Sequence, residues 1–314
     1  MRVAVFGLGL IGGSAALALA EAGHDVVGYD IDERVRADAA ERIGVAGAPE
    51  GLLDADAAVL AVPVVAMGDA APLFAPERFG GVLTDVASVK GRVRAQLRGH
   101  GRFIGGHPMA GKATAGFGAA DPDLFRGRTW VLCLEAESDL GDWASLARLW
   151  TSIGARVVPT TAAAHDRAAA RISHVEHLVA AALTLIADDP LSRSLAAGSF
   201  RDGTRVASSP TRLFEGMVEG NRAALAEALD HFGAEIEDAR IGLGSFGEHP
   251  ERITGWFDRA RRSRASWPPE PGDPEPLELT REGLLALGEA GGWVESIEGI
   301  EVATVRRPRV KSTP

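Results

Sequence analysis

The opening stretch RVAVFGLGLIGGS, residues 2–14, leaves few folds open to this chain. A short apolar run ends on glycine, and Gly7, Gly9 and Gly12 follow at the spacing Gly-x-Gly-x-x-Gly. An alanine- and leucine-rich segment comes next, read as a helix closed by Gly23. A strand that turns straight into a helix uses these glycines separately: one for the tight turn, one for close backbone approach to a pyrophosphate, one for helix–strand packing. The N–H groups that open the helix then face the phosphates. Gly7, Gly9, Leu10, Ile11 and Gly12 are therefore expected to hold a dinucleotide. The motif alone is weak evidence; its place between a strand and a helix gives it weight. A glycine-rich turn with no ligand is the alternative.

Asp30 ends the second apolar run, HDVVGYD, 18 residues after Gly12. That is close to the spacing at which a carboxylate meets the adenosine ribose hydroxyls. It would repel a 2′-phosphate, so NAD is expected as cofactor, although Arg34 nearby softens the preference. Further strand-like runs lie at 56–63, 80–88, 102–108 and 127–136, with helical stretches between most of them. Strands alternating with helices predict an α/β Rossmann-type doubly wound parallel sheet. From about 162 to 264 the pattern turns helical throughout, which predicts an all-helical dimerisation domain. The proline-rich, acidic run SWPPEPGDPEPLEL opens what reads as a linker and C-terminal tail, in which TREGLLALGEAGG reads as one helix and WVESIEGIEVATVRR as a strand or hairpin. The expected domains are thus 1–161, 162–264 and 265–314.

Composition matters here for what it excludes. A net charge of -10 argues against nucleic-acid binding. The single cysteine, Cys133, excludes an internal disulfide framework and fits a reducing cytoplasm. The apolar runs read as strand-like and shorter than a bilayer requires, so no membrane span is expected. The glycine motif, and not a signal peptide, explains the apolar N-terminus.

Ligands of doubly wound sheets bind beyond the carboxyl ends of the strands. Ser88, after LTDVA, and His107, after FIGG, fall at such ends. A histidine there can accept a proton from a substrate hydroxyl as hydride leaves, and its ordinary pKa suits the task. Spacing alone leaves His107 equally a structural histidine bonded to a loop carbonyl. In RISHVEHL, His174 and His177 stand three apart and share a helix face, with Ser173 beside them. They read as helix-surface histidines, or as a His-x-x-His pair that can chelate; with no clear third ligand, no metal is expected. Asp202 and Arg205 lie in a polar stretch between helices, and an arginine fork suits a substrate carboxylate, or else a surface salt bridge.

GLGLIGGS, DVASVKG, GGHPMAG, ISHVEHLVAAAL and FRDGTRVASSP occur in this order over residues 1–262. Together they resemble the prephenate and arogenate dehydrogenases of tyrosine biosynthesis. The resemblance implies an NAD-dependent oxidative decarboxylation of prephenate, or alternatively of arogenate, by a cytoplasmic homodimer. It implies that His107 hydrogen-bonds the ring hydroxyl, that Ser88 assists it, and that Arg205 binds substrate carboxylate. It implies that Ser173, His174 and His177 line the substrate pocket. The chain departs from the pattern at Ala113, where the family often has glutamate, at Phe214 for an aromatic that is often tryptophan, and at Glu176 for a proline. These departures bear on substrate choice more than on reaction type. A β-hydroxyacid or imine-reducing dehydrogenase would usually carry a lysine proton donor on a second-domain helix, where this chain has histidines. A non-catalytic NAD(H)-binding regulator would explain Gly7 to Gly12 and Asp30 but none of the later polar clusters.

Overall fold

The computed structural model describes residues 1–309 apart from 113 and 300, and leaves out the side chains of 212 and 213. The chain forms two compact units, Met1–His165 with Pro271–Pro314, and Asp166–Glu270.

The first unit carries two six-stranded sheets. The first is the expected doubly wound sheet. Its strands are β1 (Arg2–Phe6), β2 (Asp25–Tyr29), β3 (Gly44–Val45), β4 (Ala57–Leu60), β5 (Val82–Asp85) and β6 (Phe103–Ile104). They are all parallel, in the order β3-β2-β1-β4-β5-β6. Val3 and Val5 of β1 join one buried cluster and Ala4 joins another, so both faces are covered. That is why the strands read as unbroken apolar runs and show no alternation. The helix Leu10–Glu21 buries every residue from Gly12 to Leu19, and Gly23 (φ +87°) ends it as expected.

The second sheet departs from the expectation of one sheet. The run RFIGGHP is divided: Phe103–Ile104 completes the first sheet, and β7 (Gly106–Pro108) begins the second. β7 pairs antiparallel with β8 (Thr129–Cys133), which pairs parallel with β9 (Arg156–Thr160). The tail supplies the rest: β10 (Glu275–Glu278), β11 (Trp293–Glu298) and β12 (Val302–Arg306), in the order β10-β12-β11-β9-β8-β7. Val294, Ala303 and Val305 of these strands, with Leu284 and Leu287 of the helix Arg281–Glu289, enter the same core as Trp130, Trp143 and Trp150. Trp130 and Trp150 stack with centroids 3.7 Å apart. Of the residues expected as a separate linker and tail, those from Pro271 to Arg309 are therefore an integral part of the first unit, and those up to Glu270 belong to the second.

The second unit is all helical, as expected: Val175–Ile186, Pro190–Leu195, Gly198–Thr204, Thr211–Gly244 and Pro250–Ala265. The long helix breaks at Asn221 (φ −141°). Its internal apolar cluster is small, built on Ala170, Val175, Leu225 and Ala228. Leu185, Ile186, Leu191 and Leu195 are at least 68% exposed. The run Ala162–Ile186 is 25 helical residues and contains an 18-residue stretch of mean hydropathy 1.2, long and apolar enough to cross a bilayer by length and composition alone. Counting apolar runs overlooked it, because Arg171 and Glu176 interrupt the run without ending the helix.

Candidate active site

The glycine loop folds as its sequence requires. Gly7 has φ +97°, and a Cβ on Gly12 would lie 1.9 Å from the Gly7 carbonyl oxygen, so neither position tolerates a side chain. No side chain caps the helix at Gly9, and a Cβ there would meet nothing within 4 Å. Uncapped N–H groups over open space are what a pyrophosphate needs. Asp30 stands just past β2 with its carboxylate beside this loop: Oδ2 accepts from Leu8 N at 2.7 Å, and Oδ1 accepts from Asp32 N at 2.9 Å. Arg36 donates to the Asp30 carbonyl at 2.7 Å, whereas the Arg34 backbone N–H is bound to Asp32. The residues present thus fit a dinucleotide.

Ser88 and His107 each lie three residues beyond a strand end, of β5 and β6 respectively, and both are half-buried. The backbone under His107 is fixed by a buried ion pair that sequence reasoning missed. Lys90, 1% exposed, binds the fully buried Asp85, and its Nζ donates to the Gly106 carbonyl at 2.6 Å. Asp85 Oδ1 accepts from Gly106 N at 3.1 Å, and Oδ2 accepts from Ala87 N at 2.9 Å. The pair therefore ties the loop carrying Ser88 to the strand carrying His107. On the other side, β7 pairs His107 with Val131.

The ring of His107 meets a second histidine that sequence reasoning also missed. His107 Nδ1 lies 2.9 Å from Nε2 of His165, the rings are edge-to-face at 75°, and His165 is 4% exposed. Its one sequence signal is a lone histidine in TTAAAHD, a turn after Thr161. That helix start is well anchored: Ala162 N donates to Glu135 Oε1 at 2.5 Å, and Ala164 N to Thr161 Oγ1 at 3.2 Å.

In the second unit, His174 and His177 do not share an environment. Residues Ala170–His174 form a wide π-type turn, a feature frequent at functional sites. His174 is 2% exposed, and its Nδ1 accepts from Asn221 Nδ2 at 3.3 Å; the same amide donates to the Asp166 carbonyl at 2.6 Å. His177 is half-buried and packs edge-on against Phe214, centroids 5.0 Å apart. Ser173 is half-buried; Glu176 and Arg205 are exposed. Asp202 pairs with Arg201 at 3.4 Å. Ala113 lies outside the described residues. Among the described residues no three His, Cys, Asp or Glu side chains converge as a metal site. A cavity of about 580 Å³ lined by Lys90, Arg94, Cys133 and Glu135 includes neither His107 nor the glycine loop, so its size alone does not mark the chemistry.

A doubly wound sheet, an uncapped glycine-loop helix and a histidine held past the strand ends, followed by a helical unit, define a dinucleotide-dependent dehydrogenase. Residues 15–159 match the nucleotide-binding domain of prephenate dehydrogenase, and residues 161–245 match its dimerization domain. The chain belongs to the prephenate dehydrogenase family and is an NAD-dependent oxidoreductase. It is 34% identical over 262 residues to a cyclohexadienyl dehydrogenase of Zymomonas mobilis, an alignment covering 78% of this chain and 89% of the relative. It is 31% identical over 282 residues to a prephenate dehydrogenase of Bacillus subtilis, covering 83% and 75%. The solved Synechocystis arogenate dehydrogenase is 28% identical, with a TM-score of 0.73, over 85% of this chain and 100% of that one.

Proposed function

We propose that this enzyme oxidises prephenate and releases its ring carboxylate as carbon dioxide, giving 4-hydroxyphenylpyruvate. The observation that carries the reading is His107, its backbone clamped by Asp85 and Lys90 and its ring engaged by His165. The glycine loop and Asp30 would hold NAD, which would supply the hydride acceptor. His107 takes the proton of the ring hydroxyl while the hydrogen on the same carbon leaves as hydride. The carbon–carboxylate bond then breaks, its electron pair enters the ring, and the ring becomes aromatic. The proton returns from His107 to the phenolic oxygen, so none is consumed. We assign Ser88 to orienting the hydroxyl and Arg205, an exposed guanidinium with a planar fork, to a substrate carboxylate. Ser173 and His177 are assigned to the substrate; His174, buried against Asn221, holds the π-type turn.

Arogenate is the alternative substrate. It carries an amine where prephenate has a keto group, and Glu176 supplies an exposed carboxylate near Ser173 in sequence. Production of NADH with each substrate decides: faster turnover of prephenate supports the proposal, turnover of arogenate alone selects the alternative, and turnover of neither overturns both. We place the enzyme in the cytoplasm as a homodimer formed through its helical unit. The buried thiol of Cys133, the single cysteine of the sequence, fits a reducing compartment.

A further inference from the structure

We propose that His165 is a positioning residue that sets the tautomer of His107. The proposal rests on the reading of His107 as the base. Two neutral imidazoles whose nitrogens lie 2.9 Å apart share one hydrogen. Which ring donates it decides whether His107 can work. If His165 donates from Nε2, His107 accepts at Nδ1 and carries its own hydrogen on Nε2; that nitrogen then has no lone pair for the substrate proton. If His107 donates from Nδ1, its Nε2 is a base. His165 selects the second state by keeping its own hydrogen on Nδ1 and offering Nε2 as acceptor.

The geometry suits this role in three respects. The backbone of His107 is fixed by the β7–β8 pairing and by the Lys90–Asp85 clamp on Gly106, which sets the ring at a constant distance from His165. His165 is buried and sits one turn into a helix whose start is held by Thr161 and Glu135, so its acceptor nitrogen is fixed in place. Finally, the bond strengthens during the reaction. As His107 gains a proton on Nε2 it becomes a cation, and its Nδ1–H bond to His165 becomes charge-assisted. A carboxylate in this position would do the same in other hydrolytic and redox sites; a neutral imidazole does it here without placing a second charge in a buried position.

The test compares the unmodified enzyme with His165→Phe and His165→Gln, by kinetics with prephenate and by NMR of the ¹⁵N-labelled imidazoles, His107 being assigned by its loss in His107→Asn. Phenylalanine keeps the bulk and removes the acceptor; glutamine keeps an acceptor, its carbonyl, at similar reach. In the unmodified enzyme His107 is expected to be protonated on Nδ1 and bare on Nε2. His165→Phe should shift it toward the Nε2–H form and lower kcat at least about tenfold, the low end of what a positioned base contributes, while NADH affinity stays unchanged. His165→Gln should recover most of the loss and the original tautomer. Normal kcat in His165→Phe, or equal loss in both variants with the His107 tautomer unaltered, would overturn the proposal. An enzyme that turns over neither substrate removes the functional reading, and the tautomer comparison still decides the histidine pair.

Discussion

His107 is the residue on which the chemistry turns. His107→Asn keeps a hydrogen-bonding side chain and removes the base, so kcat should fall by about 10²- to 10⁴-fold with KM changed much less. The base must be neutral to act, so the rate of the unmodified enzyme should fall as pH drops through the pKa of this imidazole, and the asparagine variant should lose that acid limb. A variant that keeps the limb would move the titration to another group. Asp30 is a second test at this scale. The unmodified enzyme should show higher kcat/KM with NAD than with NADP, and Asp30→Ser should narrow the gap, since the repulsion toward a 2′-phosphate is gone. The carboxylate also accepts from Leu8 N, so some loss with NAD itself is expected. Lys90 is the third. Lys90→Met leaves Asp85 charged and buried without its cation, a change costing about 3–5 kcal/mol in comparable pairs, readable as a lower denaturant midpoint. Sequence reasoning reached Gly7, Asp30, Ser88 and His107 because a glycine spacing or a strand end marks each. It missed Asp85, Lys90 and His165. The first two look like any charges flanking a strand until the strand ends meet, and the third is one histidine among alanines whose partner lies 58 positions away.

Among the elements, the helix and hairpin of the tail were legible in sequence, but their place in the second sheet was not. Proline and acidic residues from 266 to 279 disguise an edge strand, and such residues are what protects an edge from further pairing. The helix Arg281–Glu289 and strands β11 and β12 then cover apolar surface of the second sheet, and Arg281 binds the carbonyls of Glu135 and Ser138. A chain ending at Glu270 should therefore lose much of the stability of the first unit. Thermal unfolding followed by near-UV circular dichroism, which reports the stacked tryptophans, should shift well below that of the full chain; an unchanged transition would show the tail to be dispensable. The split of RFIGGHP between two sheets was equally invisible in sequence. Both halves are apolar with glycine, and only the pairing partners tell them apart: β5 on one side and β8 on the other. The helical unit was legible because its period holds for about a hundred residues, far longer than any strand needs.

At the scale of the whole molecule, the second unit presents more apolar surface than its own small cluster can cover. Exposed patches of this kind mark interaction surfaces, and the matching family domain is a dimerization domain. Light scattering at micromolar concentration should give about twice the 32.8 kDa chain mass, and a species of single-chain mass would count against it. The order of synthesis adds a constraint of its own. The ribosome releases β7, β8 and β9 before the whole of Asp166–Glu270, and only afterwards the strands that finish their sheet. Until then β9 has an open edge, the kind that templates pairing between chains. On a polysome, where nascent copies crowd together, the β10–β12 segment of one finished chain can complete the sheet of its neighbour. The length of Asp166–Glu270 therefore sets how long that edge stays open during synthesis.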